Sequence, residues 1–263
     1  MRTVAVVLAG GTGQRFGGEL PKQLHELAGR TLVEHSVAAF DQAPGVDSIL
    51  VVMPAGLPAP ARERFLAAAG YPKVTRVIEG GVTRTDSTRC AIAALSPAEA
   101  VDTQARTQDQ AQAGAQARDQ AAQAHDDGDT NVLFHDAARP LLDQRIIADC
   151  VAALATDQAI GVAVPSSDTI VEVSDGLVTG MPRRDALARC QTPQGFRLSV
   201  IRQAYRLADA DPDFGQRPAT DDCGIVHRYL PAVPVRLVRG SERNIKITYP
   251  GDLDVAEALL RRG

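Results

Sequence analysis

Thr3-Val4-Ala5-Val6-Val7-Leu8-Ala9-Gly10-Gly11-Thr12-Gly13-Gln14-Arg15-Phe16-Gly17-Gly18 passes directly from a Val-rich apolar run into a glycine loop. An unbroken apolar run ending in glycines suits a strand buried on both faces, as in a parallel sheet. Working outward, apolar residues at helical spacing over Leu32–Phe40 predict a helix. Ser48–Met53 reads as a strand, Ala61–Ala69 as a helix, Val74–Ile78 as a strand and Arg84–Leu95 as a helix. Strands at Asn131–Phe134 and Ile160–Val164 flank a helix at Ile146–Leu154, and a helix at Val200–Ala208 follows with Ser199 placed to cap it. Strands alternating with helices predict an α/β fold, a Rossmann-like, mainly parallel sheet flanked by helices. Ligands then belong at the carboxyl ends of the strands, where the polar motifs stand.

Two stretches break the rhythm. Thr169–Val178 reads as strand, Ser-Asp-Gly turn and strand, a hairpin signal that predicts a protruding β-arm over about 165–186. In 101–130, 15 of 30 residues are Ala or Gln, and Val101 is the only branched apolar side chain. With no apolar stripe to bury, that stretch reads as an exposed insertion without a catalytic part. The remainder suits a single domain over 1–263.

Composition excludes several classes. With 44% hydrophobic residues the chain is not disordered, and a formal charge of −4 gives no global basic field for nucleic acid. The apolar run Val4–Ala9 is far too short for a signal peptide or membrane span. Cys90, Cys150, Cys190 and Cys223 are scattered, without a C-x-x-C pair, and read as thiols in a reducing compartment. A cytoplasmic protein is expected.

The glycine loop turns backbone N–H groups inward as an anion cradle. It is not a dinucleotide fingerprint, because Phe16 stands where the third glycine belongs. It is not a Walker loop either, because Glu19 stands where Lys belongs. Arg15 and Lys22 place two cations beside the cradle, which suits a polyphosphate whose charge rises during reaction. The same residues also read as a glycine turn flanked by solvated cations.

Leu8-Ala9-Gly10-Gly11-Thr12-Gly13-x-Arg15-Phe16 with Leu20-Pro21-Lys22-Gln23 resembles the signature of nucleotidyltransferases that activate sugar or polyol phosphates. Further stretches follow in order: Gly80–Ser87, His135–Pro140, Asp168-Thr169, Gln191–Phe196, Thr220–Asp222 and Asn244–Thr248. Together they resemble the 2-C-methyl-D-erythritol 4-phosphate cytidylyltransferases of the non-mevalonate isoprenoid pathway. The resemblance implies transfer of a cytidylyl group from CTP to a polyol phosphate, with Mg2+ or another divalent cation, by a cytoplasmic homodimer that binds neither nucleic acid nor membrane. It implies Arg15 and Lys22 on the CTP phosphates, and Lys246, on a predicted late strand, placing the attacking phosphate. Arg184 would hold that phosphate from the same or the partner subunit. Ala9, Gly10, Gly11, Gly13 and Ser87 match the cytidine side. Asp136, Arg139, Thr169 and Thr192 match the polyol-phosphate site. Several readings stay open. Asp136 also reads as a metal ligand or helix cap, Asp86-Ser87 as a cap, and Arg183 as a neighbour that shares the pattern of Arg184. Asp221-Asp222 read as a brace without chemistry. A ribitol-5-phosphate cytidylyltransferase shares several of the motifs. A non-catalytic CTP sensor would not need the cations Arg15, Lys22, Arg184 and Lys246.

Overall fold

A computed structural model describes residues 1–10, 16, 21–56, 70–96, 130–217 and 219–262. Gly11, Gly13, Arg15, the helix expected at 61–69 and all of 101–130 except Thr130 lie outside the described residues.

Among the described residues, strands β1 (Thr3–Leu8), β4 (Ser48–Met53), β5 (Val74–Glu79), β6 (Asn131–Asp136), β7 (Ala159–Pro165), β10 (Ala188–Arg197) and β11 (Val235–Arg239) form one sheet. Their order is β11-β7-β10-β6-β1-β4-β5. β1 pairs in parallel with β4 and β6, β4 with β5, and β7 with β11. β10 alone runs antiparallel, between β6 and β7. Two short hairpins lie off this sheet: β2 (Glu26–Leu27) with β3 (Arg30–Thr31), and β8 (Glu172–Ser174) with β9 (Leu177–Gly180).

The period of two in a strand explains the apolar runs. Ala5, Val7, Ile49, Val51 and Leu133 face one layer with helices α1 (Leu32–Asp41) and α3 (Gln144–Ala153), through Val33, Val37, Phe40, Ile146 and Ile147. Val6, Leu8, Leu50, Val52, Val132 and Phe134 face the other, against α2 (Arg84–Leu95), α4 (Leu198–Ala210) and α5 (Asp222–Tyr229). The last helix, α6 (Asp252–Arg261), contributes Ala256 to a smaller cluster with Phe16, Leu27, Leu32 and Ile247.

From β1 the chain steps to β4 and β5 on one side, then to β6 on the other. The carboxyl ends of β1 and β6, with Leu8 opposite Asp136, therefore bound the crevice where open α/β sheets bind ligands. The hairpin matches its sequence signal. Asp175 and Gly176 form its turn with φ of 52° and 79°, the left-handed pair that a two-residue hairpin requires.

Several expectations need correction. Lys246 lies on an irregular segment outside any strand. Arg197, not Ser199, stands at the N-cap of α4, and Ser199 is inside the helix. Helices α5 and α6 and strands β10 and β11 add to the elements read from sequence.

Candidate active site

Two glycines and a serine close one side of the crevice. Ala9 N–H donates to the Val52 carbonyl at 2.7 Å, and Gly80 N–H to the Met53 carbonyl at 2.8 Å, extending the sheet past the ends of β1 and β5. A Cβ on either Gly10 or Gly80 would fall 2.6 Å from Ser87 Oγ. Only glycine lets the two loop backbones meet over that hydroxyl. Thr83 and Asp86 form the capping box of α2, so Asp86 does the capping and Ser87 is left facing the glycines. Ser87 Oγ donates to the Thr83 carbonyl at 3.0 Å.

At the end of β6, Asp136 sits between two cations. Arg84 Nε donates to its Oδ1 at 3.0 Å and Lys246 Nζ to its Oδ2 at 2.7 Å. Burial alone would raise the Asp136 carboxyl, but Arg84 and Lys246 outweigh burial and hold it well below the usual carboxylate range. Arg84 also pairs with the fully buried Asp222 at 2.9 Å. Burial opposes its charge, yet Asp222 and Asp136 raise its pKa well above the usual arginine value. Arg139 donates from one terminal nitrogen to the Asn244 carbonyl at 2.7 Å and from the other to the Cys190 carbonyl at 3.2 Å. Its Nε is buried without a hydrogen-bond partner. Arg84, Asp136, Arg139, Thr192, Thr220, Asp221 and Lys246 all line one cleft.

Thr192 enters the cleft through an irregularity in β10. The pairing with β7 shifts between Gln191 and Gln194, leaving Thr192-Pro193 out of register. Asp136 N–H donates to Thr192 Oγ1 at 3.1 Å, which fixes the main chain of the carboxylate. His135 Nε2 lies 3.1 Å from the Arg139 carbonyl, which only accepts, so Nε2 carries the proton. Nδ1, 3.0 Å from Thr192 Oγ1, is then the acceptor, and the threonine hydroxyl donates to it. Burial pushes the His135 imidazole down to about 4 despite the neighbouring Asp136 charge, so it stays neutral at pH 7.

This has a consequence for stability. An unfolded histidine takes up its proton near pH 6.5, whereas His135 takes it only near 4. Between those values the unfolded chain binds more protons, so stability is full above the upper value and falls with acidification. At pH 4.5 the loss from this group should be about 2–3 kcal/mol relative to pH 7. Denaturant titrations at both pH values should show it, and His135→Asn should lack that part of the difference. An equal difference in the variant would remove His135 as its source.

The family model for 2-C-methyl-D-erythritol 4-phosphate cytidylyltransferase, IspD, matches residues 3–114 and 109–262. The chain belongs to this family. A cytidylyltransferase of that name from Thermobifida fusca is 48% identical over all of this chain and 94% of its own length. A bifunctional ribulose 5-phosphate reductase/CDP-ribitol pyrophosphorylase from Haemophilus influenzae is 35% identical over 99% of this chain, which spans 48% of that longer protein. Among solved structures, the 4-diphosphocytidyl-2C-methyl-D-erythritol synthase of Anaerococcus prevotii superposes with a TM-score of 0.74 at 25% identity, covering 99% of both chains.

Against this family background, the structure gathers Asp136, Arg139, Thr192 and Lys246 in the cleft and brings Gly10 against Ser87. Lys22 Nζ donates to the Ile247 carbonyl at 2.7 Å, next in sequence to Lys246. Thr169 and Arg184 are exposed beside the β8–β9 hairpin and do not line the cleft. Arg184 donates to the Ser167 carbonyl at 3.2 Å. Arg84 is a site residue to which motif reading gave no role, and Asp222, read as a brace, is the residue that pairs with it. The signal for Arg84 was position alone: an arginine opening a helix that faces the end of β6.

The donor set also tests the family's divalent cation. No group of three His, Cys, Asp or Glu side chains suited to a metal occurs among the described residues. Both Asp136 oxygens carry a cation, which repels a third. The cleft fits an anion, so a divalent ion would have to come bound to nucleotide phosphates.

Proposed function

We propose that the protein transfers the cytidylyl group of CTP to 2-C-methyl-D-erythritol 4-phosphate, giving the CDP-polyol and pyrophosphate. The observation that carries this reading is the cleft itself, with Asp136 held between Arg84 and Lys246 beside the Gly10–Ser87–Gly80 contact. A phosphate oxygen of the polyol phosphate attacks the α-phosphorus of CTP, the new P–O bond forms, and the bond to the leaving pyrophosphate breaks. That oxygen is ionised at neutral pH, so the reaction needs alignment and charge neutralisation rather than a strong base. Magnesium on the CTP phosphates would supply part of the neutralisation.

Within this reading Ser87 with Ala9, Gly10, Gly11 and Gly13 forms the cytidine side. Arg15 and Lys22 face the phosphates, and Lys246 sets the attacking phosphate. Asp136 accepts from polyol hydroxyls. Arg139, its terminal nitrogens on the Asn244 and Cys190 carbonyls, brings positive charge to the substrate phosphate. The Thr192 hydroxyl donates its hydrogen bond to His135 Nδ1 and accepts from Asp136 N–H, so it offers the substrate its remaining lone pair rather than a donor. The test is pyrophosphate release with CTP, magnesium and either methylerythritol 4-phosphate or ribitol 5-phosphate. Preference for the first supports the proposal. Preference for the second favours the CDP-ribitol reading, which the Haemophilus influenzae relative keeps in view. Release with neither would favour a sensor.

Thr169 and Arg184 stand apart from Asp136, and the hairpin beside them exposes Val173, Leu177, Val178 and Met181 by 56–70%. A second copy covering that apolar face would carry Thr169 and Arg184 to the cleft of its partner, so we read the protein as a homodimer with shared sites. Mixing Arg184→Ala with Asp136→Ala subunits should then restore about one quarter of the unaltered activity, from the one intact site in each heterodimer. No recovery after verified subunit exchange would place Arg184 in its own subunit.

A further inference from the structure

A second group of polar residues lies behind the cleft, on the side away from Lys246. Asp222, at the first turn of α5, is fully buried. Its Oδ1 accepts from the Tyr205 hydroxyl at 2.7 Å, and its Oδ2 pairs with Arg84 at 2.9 Å. Gln194 Oε1 accepts from Asp222 N–H at 3.1 Å and Cys223 N–H at 3.2 Å, tying the start of α5 to β10. A buried carboxylate requires a compensating charge, and the ion pair with Arg84 supplies it by proximity, outside hydrogen-bond geometry. Held there by charge, Arg84 meets Asp136 Oδ1 through Nε.

The two cations on Asp136 differ in how they are held. Arg84 opens a helix, is anchored from behind, and has a side chain 24% exposed. Lys246 sits on an irregular segment with its side chain 43% exposed, held by a flexible stem. A phosphate entering the cleft competes with Asp136 for the Lys246 ammonium. Once Lys246 turns to it, only the bond from Arg84 keeps the carboxylate in place, with Oδ2 open to a hydroxyl.

We infer that Arg84, braced by Asp222 and Tyr205, is a positioning residue that aims Asp136 at the polyol hydroxyls when Lys246 is drawn to phosphate. The inference rests on the cytidylyltransferase reading above. Arg84 thereby serves recognition of the polyol phosphate and not of CTP.

Kinetics of pyrophosphate release separate this from a merely structural role. Arg84→Gln should raise KM for the polyol phosphate by about tenfold or more while leaving KM for CTP within about twofold. Arg84→Lys keeps the charge but loses the fork and should stay impaired. Asp222→Asn, which keeps shape and releases the brace, should show the same split to a smaller degree, and it covers the case in which Arg84→Gln fails to fold. Because Arg84 acts through Asp136, adding Arg84→Gln to Asp136→Asn should cost nothing further in kcat/KM for the polyol phosphate. Additive losses, an equal rise in KM for CTP, or an unaltered KM for the polyol phosphate in both single variants would overturn the inference. Absence of release from the unaltered enzyme would instead overturn the reading on which it rests.

Discussion

Asp136→Asn is expected to lower kcat/KM for the polyol phosphate on the order of 10³-fold, about 4 kcal/mol, while changing KM for CTP far less. The substitution keeps the shape of the side chain and removes its charge. One terminal atom becomes an NH2 group that faces either Arg84 or Lys246, so one charge-assisted hydrogen bond becomes donor against donor. Arg84 is left with Asp222 as its counter-charge and Lys246 loses the carboxylate that aims it. Any polyol hydroxyl that should donate here meets a weaker acceptor or none. Steady-state kinetics with each substrate varied in turn would check the split. The same cluster makes a pH prediction. The two cations hold Asp136 ionised well below the usual carboxylate range, so it remains charged as pH falls towards 5. The unaltered enzyme should therefore show no acid limb assignable to this group in that range. An acid limb near pH 5 that disappeared in Asp136→Asn would mean that the ion pairs do not form in solution.

The sheet was legible where its strands are buried on both faces. Val4–Leu8, Ile49–Met53 and Val132–Phe134 carry unbroken apolar runs because helices cover both sides. β10 carries no such signal. Gln191, Thr192, Pro193, Gln194 and Gly195 show no apolar run or alternation, yet Gln191, Thr192 and Gln194 are buried within the sheet. Their polar groups are satisfied by distant segments: Gln191 by Ser241, Thr192 by His135, and Gln194 by Asp221 and Asp222. Such a strand is stabilised by tertiary partners that local periodicity cannot reveal. Lys246 was misplaced on a strand for the converse reason. Ile245-Lys246-Ile247 alternates like a strand, but Ile247 is buried against Phe16, Leu27 and Leu32, away from the sheet edge.

Site residues followed the same division. Asp136 stood out through the family resemblance of His135–Pro140, and the structure sets it at the end of an apolar strand, where a carboxylate is costly unless paired. Arg84 did not, because an arginine at the start of an amphipathic helix is ordinary until Asp136 and Asp222 are brought to it across the fold. In Asp221-Asp222 the sequence offers two adjacent acids with equal claims. The first caps α5 by accepting from Gly224 N–H at 2.8 Å, and only the second is fully buried against a cation. Thr169 and Arg184 were legible as motif residues and not as neighbours of Asp136, since the hairpin carries them outward on its own chain.

Lys22→Ala is expected to lower kcat by about 10²–10³-fold with KM for CTP changed only a few-fold. Lys22 begins a single 3-10 turn, Lys22–Leu24, at the end of the glycine loop, and its ammonium donates to the Ile247 carbonyl. That bond sets a positive charge next to the segment bearing Lys246. On the proposed reading CTP is also held at Ala9, Gly10 and Ser87, so its binding should survive the loss. Charge on the departing pyrophosphate grows only as the α-phosphate bond breaks, and a cation that meets it there lowers the barrier more than it tightens binding. Lys22→Arg should recover part of the loss, because charge returns while the planar fork fits a point-charge position poorly. Single-turnover measurements would separate chemistry from product release. A preserved rate of the chemical step in Lys22→Ala would remove the residue from transition-state stabilisation. A large rise in KM for CTP at constant kcat would make it a ground-state binding residue instead.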